Sequence, residues 1–473
     1  MRTGKTFVKY VSTRGNAPVL GFSDVILAGL ARDGGLYVPE TWPTLDAATI
    51  ASFAGRSYAD VAFEVISRFV DGDIADADLK TMIDAAYTGT FRHPAVTPLV
   101  QIAPDHFLLE LFHGPTLAFK DVAMQLLARL MDHVLGQRGA RATIVGATSG
   151  DTGGAAIEAF RGRDNTDIFI LFPNGRVSDV QRRQMTTVAD DNVHCIALEG
   201  TFDDAQRLVK GMFNHFAFRD ELSLSGVNSI NWGRIAAQVV YYFVAAVALG
   251  APARKVSFTV PTGNFGDIFA GYVAKKMGLP IDKLVIATNV NDILARTLET
   301  GRYEVTGVVP STSPSMDIEV SSNFERLVFE SCGRDAPTVT RLMQTLSQSG
   351  AFSLPDAALT AIRSEFAAGR ASVEATAALI RRLRGEAGYL IDTHGGNGVV
   401  VAEAFTGGRV PMVTLATAHP AKFPDAVQAA CGERPSLPAF LGDLMSRPER
   451  MTVLADDLAV VEAFVRQRAR VLA

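Results

Sequence analysis

The sequence has few cysteines, no excess of positive charge and no long apolar run, and each absence excludes a class of protein. Three cysteines occur among 473 residues, Cys195, Cys332 and Cys431, and they form no CxxC pair. We therefore expect neither a disulfide framework nor a cysteine zinc site. A reducing, cytoplasmic location is expected instead. The formal net charge of -5 gives no basic surface for nucleic acid.

The longest apolar stretch, residues 236–249, is shorter than a bilayer requires, contains Gln238 and ends before Gly250 and Pro252. It predicts a buried helix rather than a membrane span. Residues 1–5 lead into alternating polar and apolar positions without the core of a signal peptide, so secretion is not expected. The eight histidines form no HExxH or paired metal spacing, and no metal site is expected.

From Phe107 onward, short apolar runs alternate with helical patterns. The candidate strands are residues 107–112, 143–147, 168–172, 193–198, 256–260, 284–288 and 413–416. Each is followed by a turn rich in Gly, Pro, Asn or Asp and then by a helix-period segment, which is typical of β-α-β units in an α/β protein with parallel sheets. Ligands of such sheets bind at the strand-to-helix turns.

The first 95 residues differ, because turn-dense segments such as 12–16 and 32–39 are followed by helical patterns without regular β-α alternation. This predicts a separate N-terminal domain at residues 1–95 and a catalytic domain at residues 96–473. A basic cluster at Arg381, Arg382 and Arg384 lies on an amphipathic pattern and predicts a solvated helix face.

Lys120 stands just after an apolar stretch that breaks at Gly114 and Pro115, where an amphipathic helix begins. The apolar positions that follow share one helix face: Ala123, Leu126, Leu127, Leu130, Met131 and Val134. An amine at the first turn beside that face loses hydration, so its pKa falls and it becomes a nucleophile that can form a Schiff base with an aldehyde cofactor. Since most lysines are exposed and solvated, this interpretation depends on the surrounding motifs.

Two strand-to-helix turns are rich in glycine, residues 148–154 and 261–267. Their glycines allow positive φ, and their amides can converge on a carboxylate or phosphate at a helix N-terminus. Neither matches GxxxxGK[ST] or GxGxxG, which disfavours nucleotide binding. Each carries an aspartate, Asp151 or Asp267, which we expect to cap amides of the following helix. The alternative is that each loop is simply a tight β-α connection.

Two further segments, residues 392–398 and 415–423, follow apolar stretches and contain His394 and His419. Each histidine is a candidate acid-base group. The commoner alternative is a structural hydrogen-bonding residue.

Taken in order, these segments resemble the threonine synthases, pyridoxal-phosphate enzymes of the tryptophan-synthase-β-like fold. The matching blocks are residues 10–15, 33–39, 113–121, 148–153, 228–235, 263–267, 313–318 and 417–423. The resemblance implies fold type II: an α/β protein with parallel sheets flanked by helices, two α/β subdomains with the cofactor between them, and an extra N-terminal domain.

The resemblance also implies roles for individual residues. Lys120 is implied to be catalytic and to bind pyridoxal 5'-phosphate covalently. The other implied cofactor-binding residues are Gly263, Asn264, Phe265, Gly266 and Asp267 at the phosphate, and Thr417 at the pyridine nitrogen. The expected substrate-binding residues are Thr148, Ser149, Gly150, Asp151, Thr152, Asn231 and Arg234. Of these, Ser149, Asn231 and Arg234 are expected to donate to a substrate phosphate, although Arg234 could instead pair within its own helix.

The reaction so implied converts O-phospho-L-homoserine and water to L-threonine and phosphate, by γ-elimination and then hydration at Cβ of a substrate joined to the cofactor as a Schiff base. The implied partner is this small molecule, and the implied assembly is a monomer or homodimer. One departure is that Thr393-His394 is followed by Gly395-Gly396-Asn397-Gly398, where the family usually has Thr-Ala-Val-Gly. Two alternatives stay open: a lyase that releases phosphate or ammonia and yields 2-oxobutanoate, and a non-catalytic relative.

Overall fold

The computed structural model describes residues 8–472. Residues 1–7 of the predicted N-terminal domain and residue 473 of the predicted catalytic domain lie outside the described residues, and so does the segment used above to argue about secretion. Within residues 8–472, no helix has both the length and the apolarity needed to cross a bilayer.

The N-terminal region is mainly helical, as its sequence predicts. Its elements are β1 (Tyr10–Ser12), α1 (Phe22–Ala28), β2 (Tyr37–Pro39), α2 (Ala47–Ala51), α3 (Tyr58–Val70) and α4 (Asp76–Tyr87). β1 and β2 pair antiparallel. The rings of Tyr10, Trp42 and Phe69 lie 5.6–6.1 Å from that of Trp232, so the core of this region is continuous with that of the later chain. The domain boundary at residue 95 falls between α4 and the next strand and stays a prediction.

The remaining chain alternates strands and helices. The strands are β3 (Leu99–Ala103), β4 (His106–Glu110), β5 (Ala142–Ala147), β6 (Thr166–Pro173), β7 (Val193–Glu199), β8 (Leu224–Ser225), β9 (Val256–Pro261), β10 (Ile281–Thr288), β11 (Arg302–Glu304), β12 (Ala351–Ser353), β13 (Phe366–Arg370), β14 (Met412–Ala416) and β15 (Thr452–Ala455). The helices are α5 (Lys120–Gln137), α6 (Asp151–Phe160), α7 (Asp179–Thr186), α8 (Phe202–Asn214), α9 (Phe216–Glu221), α10 (Trp232–Ala248), α11 (Gly266–Lys276), α12 (Ile293–Thr300), α13 (Phe324–Ser331), α14 (Ala336–Ser349), α15 (Asp356–Glu365), α16 (Val373–Glu386), α17 (Thr393–Ala402), α18 (Pro424–Cys431) and α19 (Leu458–Arg468).

Two larger sheets organise this part. One has the strand order β13-β10-β9-β14-β4-β3, in which only β3 runs antiparallel to its neighbour. The other has the order β15-β7-β6-β5-β8 and is parallel throughout. All seven strands predicted from sequence are present, and the α/β prediction with parallel sheets flanked by helices is confirmed. The parallel pairing brings the carboxyl ends of neighbouring strands together, which concentrates their loops at one edge of each sheet.

Two helices, α5 and α10, contribute to the candidate site described below. α5 begins at Lys120, as predicted, and α10 covers the apolar stretch after Trp232 and is buried along nearly its whole length. The prediction of a buried α10 is confirmed. On α16, Arg381, Arg382 and Arg384 are exposed, which confirms the predicted solvated face.

Candidate active site

One cavity brings together loops that follow three of the strands. The empty space between its walls, open solvent included, is about 640 Å³. Its wall comprises Phe119, Lys120, Thr152, Ser229, Arg234, Gln238, residues 261–268, Ser315, Met316, His394 and Thr417. The loops after β5, β9 and β14 therefore meet at Lys120, as expected for turns at the carboxyl ends of parallel strands.

The turn before Lys120 is held by hydrogen bonds to both sides. Asp121 accepts from the backbone amide of Thr116 at 2.8 Å and from its hydroxyl at 2.6 Å. Phe119 donates its amide to the carbonyl oxygen of Thr417 at 2.8 Å, which ties this turn to the segment after β14. Lys120 itself is 8% exposed and faces the cavity. The lysine is thus buried where α5 begins, beside the core.

Burial and neighbouring charges act on the pKa of Lys120 in opposite directions. Burial has the largest effect and lowers the pKa of the amine, Asp151 raises it, and Lys422 and Arg234 lower it further. The net result is a pKa below the ordinary 10.5. A buried amine with a lowered pKa is a nucleophile suited to an aldehyde.

The loop after β9 leaves the N-terminus of α11 without a side-chain cap. Phe265 takes the left-handed conformation at φ 64°, and its side chain caps no amide. The carbonyl oxygens of Gly263 and Asn264 are occupied, the first by the Ser321 hydroxyl at 2.6 Å and the second by the Asn323 side-chain amide at 2.9 Å. Because each peptide unit is planar and trans, the amide that follows each carbonyl points the opposite way. Those amides are therefore directed away from these two contacts, at a helix terminus of the kind that can receive an anion.

Close packing requires glycine in this loop. A Cβ atom on Gly263 would lie 2.6 Å from the carbonyl oxygen of Ser315, a backbone atom that cannot move away cheaply. At Gly263 the loop after β9 therefore packs closely against the main chain of the segment around Ser315.

Asp267 does not cap α11, so that expectation was wrong. Its Oδ1 instead accepts from the hydroxyls of Tyr241 and Tyr242, both on α10. Its Oδ2 is buried and has no partner within residues 8–472. Burial raises the pKa of Asp267 to about 6 despite the two tyrosine hydrogen bonds, which act to lower it.

The loop after β5 is capped by a threonine, not by its aspartate as expected. The hydroxyl of Thr148 accepts from the amides of Gly150 and Gly153, each at 2.9 Å. Asp151 makes no capping hydrogen bond and turns toward Lys120. Thr152 lies in the cavity wall, whereas Ser149 is exposed and lies outside it.

Asn231 and Arg234 differ in whether their side chains can contact a ligand in the cavity. Asn231 caps α10 through Oδ1, which accepts from Gly233 at 2.9 Å, and its Nδ2 donates to the carbonyl oxygen of Ile26 at 2.8 Å. It is fully buried and lies outside the cavity wall, so the expected contact with substrate is not supported. Arg234 lines the cavity, and its Nε has no partner within the described chain. Burial lowers the pKa of Arg234 to about 10.

Sequence reasoning did not assign Ser229, Gln238, Ser315, Met316 or Phe119 to the cavity wall. The blocks around Ser229 and Ser315 were found by resemblance, but nothing in their composition identified them as wall residues. Packing of separate segments against the loop after β9 brings them there.

His394 lies in the wall and has a structural hydrogen-bond pattern. Its Nδ1 is 2.8 Å from a carboxylate oxygen of Asp392, and its Nε2 accepts from the amide of Ser315 at 3.2 Å. The ring therefore carries its proton on Nδ1, and both nitrogens are occupied. This favours the structural alternative over the acid-base one.

The segment that departs from the family pattern forms the first turns of α17. Asp392 caps it by accepting from the amides of His394 and Gly395, each at 2.9 Å. A Cβ atom on Gly396 would lie 2.9 Å from the Thr376 side chain, and Asn397 donates to the Ser313 hydroxyl at 2.8 Å. The glycines thus allow α17 to pack closely on its neighbour.

These groups fit pyridoxal phosphate, the cofactor implied by the resemblance. The amine of Lys120 suits its aldehyde, and the uncapped amides after β9, beside the close approach at Gly263, suit its phosphate. The hydroxyl of Thr417 lies at the cavity and makes no hydrogen bond to another residue within 8–472. Across the same residues, no group of three or more His, Cys, Asp or Glu side chains is placed to bind a metal.

Comparison with known proteins gives consistent results along the chain. Three family profiles match: "Threonine synthase N terminus" at residues 9–87, "Pyridoxal-phosphate dependent enzyme" at residues 90–388 and "Threonine synthase, C-terminal" at residues 397–465. The threonine synthase of Pseudomonas aeruginosa is 55% identical over 462 residues, which cover 97% of this chain and 98% of that protein.

Two solved structures are similar throughout. The crystal structure of pyridoxal-phosphate-bound threonine synthase from Brucella melitensis has a TM-score of 0.96 and 66% identity, and the match covers 98% of this chain and 100% of that one. The crystal structure of threonine synthase from yeast has a TM-score of 0.92 and 40% identity, with 98% and 99% covered.

Proposed function

The chain belongs to the threonine synthase family of pyridoxal-phosphate-dependent enzymes, and on this premise we propose that its substrate is O-phospho-L-homoserine, which it converts with water into L-threonine and phosphate. The observation that carries the proposal is the buried amine of Lys120 in a cavity that also contains an uncapped helix terminus and the buried guanidinium of Arg234. These supply the nucleophile and two separate sites for anions.

We assign the cofactor's attachment to Lys120 and its phosphate to the amides of the loop at residues 263–267. Thr417 is proposed to meet the pyridine nitrogen. When bound, pyridoxal phosphate draws electrons away from the substrate's reacting carbons. A threonine hydroxyl at that nitrogen, in place of a carboxylate, favours an unprotonated ring and a weaker withdrawal of electrons, which restrains transamination.

Lys120 is the proposed acid-base group. Its Nζ would accept the proton from Cα, serve the proton transfers at Cβ and Cγ that accompany loss of phosphate and addition of water, and return a proton to Cα. Burial favours the neutral amine that the first of these steps needs. Thr152, which lies in the wall, is the proposed contact of the loop after β5 with the substrate's carboxylate end.

Arg234 is the proposed ligand of the substrate phosphate. An arginine that is 3% exposed, with an Nε lacking any partner in the described chain, gains most from an anion in the cavity. Because a hydrogen bond to a charged group contributes about 1.5–3 kcal/mol, we expect Arg234→Ala to lower kcat/KM for phosphohomoserine about 10- to 100-fold. Steady-state kinetics measure this effect, with Arg370→Ala, whose side chain is 70% exposed, as the control for loss of a positive charge.

Unchanged kcat/KM in Arg234→Ala would remove the phosphate role. A fall in affinity for pyridoxal phosphate, with kinetics restored at saturating cofactor, would reassign the arginine to the cofactor's phosphate.

Product analysis tests the reaction. We expect the full-length holoprotein to release L-threonine and phosphate in equal amounts from phosphohomoserine, and Lys120→Ala to release neither, because it lacks the amine. Amino-acid chromatography and a phosphate assay measure both products. Release of 2-oxobutanoate would identify the alternative lyase, and absence of any product from a protein that binds pyridoxal phosphate would identify a non-catalytic relative.

We further propose a cytoplasmic location and a monomeric or homodimeric state. The three free cysteines, Cys195, Cys332 and Cys431, suit a reducing compartment.

A further inference from the structure

Asp151 contacts two buried lysines at once. Its Oδ1 lies 2.8 Å from Nζ of Lys422, and its Oδ2 lies 3.4 Å from Nζ of Lys120. Gln181 donates to Oδ1 at 2.9 Å, and the Ser315 hydroxyl donates to Oδ2 at 3.3 Å. All the partners of this carboxylate are therefore donors, and two of them are amines.

The two lysines are placed differently. Lys120 lies in the cavity wall, whereas Lys422 is 0% exposed and lies outside the wall. Besides Asp151, Nζ of Lys422 donates to the carbonyl oxygen of Thr116 at 2.7 Å. That carbonyl belongs to the turn before Lys120, and it also accepts from Gln184 at 3.1 Å. Lys422 therefore touches both the carboxylate and the turn, but not the reacting space.

Other charged or titratable groups also face these lysines. They are Arg234 and Asp267 toward Lys120, and Asp121 and His419 toward Lys422. Burial, opposed by hydrogen bonds from Thr116, raises the pKa of Asp121 to about 6, and burial lowers the pKa of His419 to about 4. The basic groups closest to Asp151 are the two lysines.

The carboxylate of Asp151 lies closer to the Nζ atom of Lys422 than to that of Lys120, at 2.8 Å against 3.4 Å. Burial acts to raise the pKa of Asp151, but Lys422 and Lys120 outweigh it and bring the pKa well below its usual range. Asp151 therefore stays charged whether or not Lys120 is protonated, provided that Lys422 remains. Without Lys422, the ammonium that remains in contact with Asp151 among residues 8–472 would be that of Lys120.

We propose that Lys422 is a positioning residue for the reaction, the counter-ion of Asp151 outside the cavity, which leaves Lys120 free to lose its proton. The proposal rests on the covalent role of Lys120 given under the proposed function. Lys120 attacks an aldehyde carbon only as the neutral amine; as the C–N bond forms, the two amine hydrogens and the aldehyde oxygen leave as water. Without the charge of Lys422, Lys120 would remain an ammonium up to a higher pH. Its reaction with the aldehyde would therefore require a higher pH as well. The direction agrees with the lowering of the pKa of Lys120 by Lys422.

The experiment measures the rate at which the full-length protein, after removal of its cofactor by dialysis, captures added pyridoxal phosphate at a series of pH values. Absorbance follows capture, and borohydride reduction with peptide mapping locates the adduct. We expect Lys422→Gln, which keeps a donor for Thr116 but not the charge, to raise the pH midpoint by about one to three units, the size of shift that a nearby charge produces. Lys422→Arg, which keeps the charge, is expected to stay near the wild-type midpoint.

Gln184→Met is the matched control, because it removes the other side-chain hydrogen bond to Thr116 without changing any charge. We expect its midpoint to equal that of the wild type even if its rates fall. An equal midpoint in Lys422→Gln and Gln184→Met would overturn the proposal and leave Lys422 a purely structural role. An adduct at a residue other than Lys120 would instead overturn the proposed function.

The double variant Asp151→Asn/Lys422→Gln keeps the test valid if the single variant does not fold, because it leaves no unpaired charge in this pair. We expect its midpoint to lie at or below that of the wild type, since both the carboxylate that retains the proton and the charge that opposes it are gone. A midpoint raised as far as expected for Lys422→Gln would contradict the assignment of Asp151 as the group that holds the proton on Lys120.

Discussion

The glycine-rich loops after β5 and β9 each join a parallel strand to a helix, and each places an aspartate in the helix's first turn. In the loop after β5, the hydroxyl of Thr148 caps the helix and Asp151 is left to contact two lysines. In the loop after β9, no side chain caps the helix, and Asp267 accepts from two tyrosine hydroxyls.

The neighbours on other segments therefore determine how readily each aspartate loses its proton. Asp151 is held in its charged form by ammonium groups, whereas burial raises the pKa of Asp267 to about 6. One loop carries a permanent negative charge beside the nucleophile, and the other leaves amides free for an anion with only a weakly acidic carboxyl behind them. The same sequence pattern thus gives a charged aspartate beside Lys120 in one loop and an uncapped helix terminus in the other.

The largest expected effect is a difference in the free energy of unfolding between variants of the two aspartates. Asp151→Asn removes the counter-ion of buried Lys422, and breaking a buried pair in this way costs about 3–5 kcal/mol. Asp267→Asn keeps an oxygen that accepts from Tyr241 and Tyr242 and removes a charge that burial opposes, so it should cost no more than about 1 kcal/mol. Denaturant unfolding of the full-length variants at pH 7 measures both free energies. Equal losses of unfolding free energy would mean that the two aspartates contribute equally to stability.

The pH dependence of the same variants gives an independent readout. Asp267 binds its proton more tightly in the folded state, so the stability it contributes is complete below about pH 4 and is lost as the pH rises to about 6. Asp151 has the opposite sign, because its pKa is lowered on folding: its contribution is present above about pH 4 and is lost on further acidification. Asp267→Asn should remove a slope of at most about 1.4 kcal/mol per pH unit between pH 4 and 6. Asp121, whose pKa is also raised to about 6, keeps a similar slope in both variants.

Much of this architecture follows from local sequence. The strands were predicted because apolar runs of strand length alternate with helical patterns, and Lys120 was placed at the start of α5 because a Gly-Pro break precedes an amphipathic face. The buried α10 followed from its continuous apolar composition. Each of these features depends on residues that are close together in the chain.

The partners of the two aspartates could not be predicted in the same way. Lys422 is separated from Asp151 by most of the catalytic region, and Tyr241 reaches Asp267 from a different helix. The capping rule that assigned both aspartates to helix amides considers only the residues next to them. It failed because in one loop the Thr148 hydroxyl occupies the amides of Gly150 and Gly153, and in the other loop tyrosine hydroxyls bind the aspartate. The substrate contact expected of Asn231 stays a prediction; what the structure adds is that its side chain is the local cap of α10.

A smaller effect is expected when a glycine in each of the two loops is replaced by alanine. A Cβ atom on Gly263 would lie 2.6 Å from the backbone oxygen of Ser315, whereas one on Gly154, within α6, would lie no closer than 3.8 Å to Gln184. Overpacking of about 1–3 kcal/mol in Gly263→Ala should weaken the binding of pyridoxal phosphate about 10- to 100-fold, as measured by absorbance titration of the full-length protein. Gly154→Ala is the matched control, and it should retain affinity and gain up to about 1 kcal/mol in stability because alanine favours a helix interior. If both variants bound the cofactor equally well, the loop after β9 could not be the segment that holds its phosphate, and the asymmetry between the two loops would reduce to their aspartates alone.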